Sequence, residues 1–159
     1  MYKRILAAID GSRGARLALD EAVKIAQASD GTITAVCVGE NPAQLVDVGT
    51  LFVEAPSPVS TAANEAATAA LEEAQDLFER RKVRGVTRTL DSYGEDVATV
   101  LSRTADELKA DLVVMGTSGR HGVRRVLLGS VAESFLRLSR VPVLLVRYDP
   151  DVDPIPSSL

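Results

Sequence analysis

The sequence predicts an α/β fold built on one parallel sheet covered by helices on both faces. Two observations carry this expectation. Five short apolar or β-branched runs alternate with longer segments whose apolar residues recur at helical spacing, and that alternation produces parallel strands joined by helical crossovers. At 159 residues the chain is long enough for one continuous core and too short for two independent ones.

The first run, Arg4-Ile-Leu-Ala-Ala-Ile9, is bounded by charge and by Asp10-Gly11, as a buried strand would be. Ala15, Ala18, Leu19, Ala22, Val23 and Ala26 then follow one helical face, with Ser12 placed to cap it. Residues 32–38 are β-branched and apolar, a second strand. Residues 39–58 carry three prolines and no period, so a long loop is expected there. Its triplet Leu51-Phe52-Val53 could fold back into the core or serve a partner. A second helix is predicted over 61–82, inward through Ala63, Ala66, Ala67, Ala70, Leu71, Ala74, Leu77 and Phe78. Residues 86–91 form a third strand of higher polar content. Glu95 or Asp96 opens a third helix that faces inward through Val97, Val100, Leu101, Ala105 and Leu108. Residues 112–115 are the fourth strand, 131–138 the last helix, and Val143 to Val146 the closing strand. Residues 1–148 make the domain, and 149–159, with prolines at 150, 154 and 156, are expected to be a mobile tail. Crossovers should be right-handed. Periodicity alone leaves the strand order open.

Composition narrows the function. With 46% hydrophobic and 25% charged residues the chain reads as globular and soluble. A formal charge of −4 argues against non-specific nucleic-acid binding, which relies on neutralising phosphates. Arg120, Arg124 and Arg125 nevertheless gather cations in one loop, which suits a small anion better than a duplex. Cys37, the single cysteine, lies inside an apolar strand and reads as a small buried hydrophobe. No apolar run approaches the ~20 residues of a membrane span. The opening Met-Tyr-Lys-Arg lacks a secretory signal's apolar stretch and cleavage site, so a cytoplasmic location is the expectation.

The most informative stretch is Gly116-Thr-Ser-Gly119, followed after nine residues by Gly129-Ser130. It joins the fourth strand to the last helix. Glycines at a strand's carboxyl end let the backbone approach a ligand without a Cβ in the way. Ser130 falls at the expected N-cap, beside free N–H groups and the positive end of the helix dipole, an arrangement suited to phosphate. The spacing G-x2-G-x9-G-(S/T) resembles the ATP-binding signature of the universal stress protein family. The likeness extends through Ala8-Ile-Asp-Gly-Ser12, Ala110-Asp-Leu-Val-Val-Met-Gly116 and Arg140-Val-Pro-Val-Leu-Leu-Val-Arg147, nearly the whole chain. It implies a doubly wound, Rossmann-like sheet of the adenine nucleotide alpha hydrolase-like type, with five strands in the order 3-2-1-4-5. Ligands of such sheets bind at the carboxyl ends of the strands where the winding reverses, here between Asp10 and Gly116.

The resemblance also implies roles for individual residues. Gly116 and Gly119 would contact phosphate, where the plain alternative is a tight turn. Ser130 would offer its hydroxyl to phosphate while the helix is capped beside it. Asp10 would lie near the ribose and base; otherwise it caps the first helix or accepts bonds from its own loop. Ala8 and Ile9 would wall the adenine pocket, and Val38 would give backbone groups to the adenine edge. Met115, Ser118 and Val131 complete the lining, and Arg120 could reach the outer phosphates. Arg124 and Arg125 read equally as a solvated loop face, and His121 as a lone surface histidine. The commonest family version carries a histidine nearer Ser118 and an arginine around His121, a mild departure here.

Catalytic machinery is missing from the sequence. There is no G-x-x-x-x-G-K-[ST] loop, no Ser-Gly-Gly-x-Asp-Ser arrangement, no nucleophile–base pair and no zinc-ligand spacing. Magnesium could ride on the phosphates with Ser130 as its protein ligand. The expected function is therefore ATP binding by a stress-response regulator acting on an unknown protein partner. The alternatives are a slow ATPase, a binder of cyclic AMP or another adenosine derivative, and a nucleotide-free interaction protein. In the implied strand order Val143 to Val146 is an apolar edge, so the resemblance implies a homodimer paired through it, Pro142 being tolerated at such an edge. The alternative is an edge covered by the tail.

Overall fold

Nine elements follow in strict alternation in a computed structural model that describes residues 1–39, 58–117 and 128–148. They are β1 (Arg4–Ala8), α1 (Arg13–Ser29), β2 (Thr32–Gly39), α2 (Pro58–Arg81), β3 (Arg84–Asp91), α3 (Val97–Glu107), β4 (Leu112–Gly116), α4 (Ser130–Leu138) and β5 (Val143–Val146). All pairings are parallel, in the order β3-β2-β1-β4-β5, which is the order the family resemblance implies. The loop expected over 39–58 and the tail over 149–159 lie largely or wholly outside the described residues.

Because side chains alternate along a strand, the sheet feeds two cores. Ile5, Ala7, Ile33, Ala35 and Val114 pack with Ala18, Ala22, Ala74 and Phe78 on the α1 and α2 side. Leu6, Val36, Val113 and Met115 pack with Leu101, Ala132 and Phe135 on the α3 and α4 side. Burial on both faces explains why the central strands read as nearly continuous apolar runs. Alanine dominates the inner face of α1, so this helix lies close to the strands beneath it.

Local chemistry sets the ends of the elements. Ser12 caps α1, its Oγ accepting the Ala15 N–H at 3.2 Å, as the sequence suggests. Asp96 rather than Glu95 opens α3: its carboxylate accepts the Thr99 N–H at 2.7 Å, while Glu95 pairs with Arg103. The Asp111 carboxylate accepts the N–H groups of Lys3 and Arg4 at 2.8 and 3.0 Å and so holds the start of β1 beside the start of β4.

Strand β3 starts two residues before the expected 86–91, because its register with β2 runs from Thr32 opposite Arg84 to Gly39 opposite Asp91. Pairing with a neighbouring strand outweighs its polar composition. Helix α2 begins at Pro58, where a residue without an N–H costs a helix nothing.

Two expectations follow. Phe78 is buried against Gly85, so Phe78→Ala should cost about 3–5 kcal/mol in denaturant unfolding. The bond from Thr99 N–H holds the Asp96 carboxyl below its ordinary range. A carboxyl whose pKa is lowered on folding adds stability above its unfolded pKa and loses it as pH falls through the folded one. The melting-temperature gap between wild type and Asp96→Ala should therefore be full at pH 7 and narrow below about pH 4.

Candidate functional site

In a parallel sheet the chain leaves every strand at the same end. From β1 it turns to α1 on one face, and from β4 it turns to α4 on the other. The two strands are direct neighbours, with Ile5 opposite Leu112 and Ala7 opposite Val114. Connections that diverge between adjacent strands open a crevice at their carboxyl ends.

On the β1 side, Ile9 N–H donates to the Val36 carbonyl at 2.9 Å and prolongs the alignment with β2. The chain then turns at Gly11, whose φ of 81° lies in the left-handed region. Asp10 is half-buried, and its Oδ1 accepts the Ser12 N–H at 2.8 Å. It thus binds its own loop, and capping α1 falls to Ser12.

The β4 side is built from backbone. Gly116 lies opposite Val146, and Thr117 N–H donates to the Val146 carbonyl at 3.1 Å. Gly129 N–H donates in turn to the Thr117 carbonyl, so the two ends of the intervening loop are fastened together. Gly129, not Ser130, is the N-cap of α4. Its backbone is extended (φ −67°, ψ 160°) and its carbonyl accepts the Glu133 N–H at 2.9 Å, which makes Ser130 the first helical residue. Among the described residues no side chain caps this helix, and because it starts where β4 ends, its first N–H groups and the exposed Ser130 stand at the same end of the sheet as Asp10.

The other expected site residues divide into three groups. Ala8 and Val38 are half-buried on the α3 and α4 face, at the ends of neighbouring strands. Ile9 and Met115 are 6% and 3% exposed; their side chains belong to the two cores. Val131 is 38% exposed beside Ser130. Ser118, Gly119 and Arg120 lie outside the described residues, as do His121, Arg124 and Arg125.

Three participants were not legible in the sequence. Thr117, 8% exposed, forms the neck of the loop between Gly129 and Val146. Gly14, in the first turn of α1, meets Gly116 backbone to backbone. Arg13 brings a cation to this end of the sheet and donates to the Tyr148 hydroxyl at 3.4 Å. A glycine in a helix's first turn is the only signal that could have marked Gly14.

Among the described residues no cluster of three or more His, Cys, Asp or Glu side chains could hold a metal, and no helix is long and apolar enough to cross a membrane.

Fold and crevice together define a doubly wound α/β protein whose strand carboxyl ends are flanked by loop backbone and one helix N-terminus. The chain belongs to the universal stress protein family, whose model matches residues 1–147. It is 34% identical over 152 residues to a universal stress protein of Methanocaldococcus jannaschii, covering 92% of this chain and 83% of the relative. A solved structure of a universal stress protein family member from Burkholderia pseudomallei superposes with a TM-score of 0.66 at 33% identity, over 91% of this chain and 96% of that one. A universal stress protein solved in complex with cAMP gives 0.64 at 27% identity, over 92% and 97%.

The cap at the crevice can be tested directly. Ser12→Ala should lower stability by about 1 kcal/mol in urea unfolding, and an unchanged midpoint would mean that Ser12 does not hold the start of α1.

Proposed function

We propose that this chain is an ATP-binding member of its family that acts as a nucleotide-dependent regulator. What supports this reading is that Asp10, Val38, Gly116 and the start of α4 all lie at the carboxyl end of one parallel sheet, on both sides of the point where the winding reverses. Adenine would lie against Ala8 and Val38, both half-buried and apolar at neighbouring strand ends. Asp10 would lie on the ribose side. Phosphates would meet the N–H groups of Ser130 and Val131, where the helix dipole favours negative charge. Gly119, Ser118 and Arg120 would complete that subsite from the loop.

Magnesium, when bound, neutralises phosphate charge. The donor set suits an ion carried by the nucleotide, since Ser130 offers one hydroxyl and no carboxylate cluster competes for the metal among the described residues. The sequence offers no general base, so the function rests on occupancy: nucleotide would order the surface that an unknown protein partner reads. The expected setting is the cytoplasm.

A second reading is an adenosine-derivative binder that leaves the outer phosphate positions idle. The relative solved with cAMP, at 27% identity, favours it.

Purified protein, denatured and analysed by chromatography and mass spectrometry, should release stoichiometric ATP. An empty protein that also fails to bind ATP at micromolar concentration contradicts the proposal, and preferential uptake of cyclic AMP supports the second reading.

Association would use the β5 edge of the sheet. Val143, Leu144, Leu145 and Val146 are only half-buried there, and Leu138 of the adjoining helix α4 is 47% exposed. A homodimer pairing β5 with its mate would cover this apolar strip. Sedimentation at micromolar concentration should give twice the 16.9 kDa chain mass, and monomer mass would overturn the dimer.

A further inference from the structure

Gly116 opens the glycine motif, where a phosphate contact is the expected reason for glycine. The structure gives a different reason. The described glycines with positive φ are Gly11 and Gly94, so Gly116 needs no left-handed backbone. What it needs is space. A Cβ at Gly116 would stand 2.9 Å from the Gly14 carbonyl carbon, 3.1 Å from the Gly14 oxygen and 3.2 Å from the Ala15 nitrogen. These are main-chain atoms of the first turn of α1, and main chain cannot rotate aside as a side-chain tip can.

From this contact we infer that Gly116 is a positioning residue for the adenosine side of the crevice, acting through α1 rather than through phosphate. The inference rests on the nucleotide-binding reading above. The relay is continuous. Gly116 sets the height of Gly14 and Ala15; Ala15 N–H is bound by the Ser12 hydroxyl at 3.2 Å; Ser12 N–H is bound by Asp10 Oδ1 at 2.8 Å. A methyl group at position 116 must push the first turn of α1 away by about 0.5 Å to reach ordinary contact. Ser12 and Asp10 travel with that turn. Gly129 and Ser130 begin α4, and their link to this region runs through the Thr117 carbonyl rather than through α1.

The two sides of the crevice therefore answer differently to substitution. Gly116→Ala should weaken adenosine and ATP in parallel, by about tenfold or more each, because both ligands use the Asp10 side. Ser130→Ala should weaken ATP and leave adenosine binding unchanged. Titration of adenosine, AMP and ATP into wild type, Gly116→Ala and Ser130→Ala separates the cases. In nucleotide-free protein, amide hydrogen exchange at Ala15 and Arg16 should be faster in Gly116→Ala and unchanged in Ser130→Ala.

If Gly116→Ala binds adenosine like wild type but ATP weakly, the glycine serves phosphate and the inference is overturned. Unchanged exchange at Ala15 and Arg16 overturns it as well. Should Gly116→Ala not fold, Ser12→Ala, which breaks the relay in its middle without adding volume, makes the same test: adenosine and ATP should weaken in parallel, and unchanged adenosine binding overturns the inference. Wild type that binds neither adenosine nor ATP contradicts the nucleotide reading itself, a result distinct from the other two.

Discussion

Strand β1 lies between β2 and β4 and hydrogen-bonds to both, and the rest of the structure depends on that placement. Ile5, Leu6 and Ala7 are buried on both sides of the sheet, so helices must cover both faces. The chain goes to one face after β1 and to the other after β4. The Asp111 carboxylate, accepting two N–H groups from the start of β1, holds the two strands in register at the end away from the crevice. Closure at the amino ends and divergence at the carboxyl ends follow from one arrangement.

Surface charge adds little to this frame. Arg16 meets Glu73 at 3.0 Å and Arg81 meets Asp20 at 3.1 Å, joining α1 to α2; the first pair is about half exposed and the second partly buried. Exposed pairs contribute roughly 0–1 kcal/mol. Fully burying one core side chain such as Phe78 or Ile5 contributes about 1.5–3 kcal/mol. Apolar burial under the helices, rather than ion pairing, therefore keeps the sheet in place. The carboxyl end of the sheet can then be made of backbone and short side chains without loss of the core.

The elements were legible where one periodicity dominated. Alanines of α1 spaced along one helical face, and the unbroken Leu112-Val-Val-Met115 run, leave no competing interpretation. The start of β3 was not legible, because Arg84 and Gly85 join the strand only through their partners Thr32 and Ile33. At the site, the motif's position between β4 and α4 could be read directly, and so could the cap at Ser12. The cap of α4 could not: Gly129 and Ser130 both suit an N-cap, and the choice is made by the hydrogen bond from Gly129 to Thr117, which is a tertiary contact. Likewise the meeting of Gly14 with Gly116 joins residues far apart in the chain and carries no local signature. The strand order came from family resemblance, since periodicity contains no information about which strands become neighbours.

The central claim is that Asp10, Val38, Gly116 and the start of α4 form one adenine-nucleotide site at the carboxyl end of the sheet. Its most direct test is amide chemical-shift mapping during titration with ATP and magnesium. The account predicts shifts confined to Asp10–Ser12, Val38–Gly39, Met115–Thr117 and Gly129–Ala132, with Arg4, Thr32, Arg84 and Asp111 at the opposite end unmoved. Shifts centred on those amino-terminal positions, or no shifts at saturating nucleotide, would contradict it.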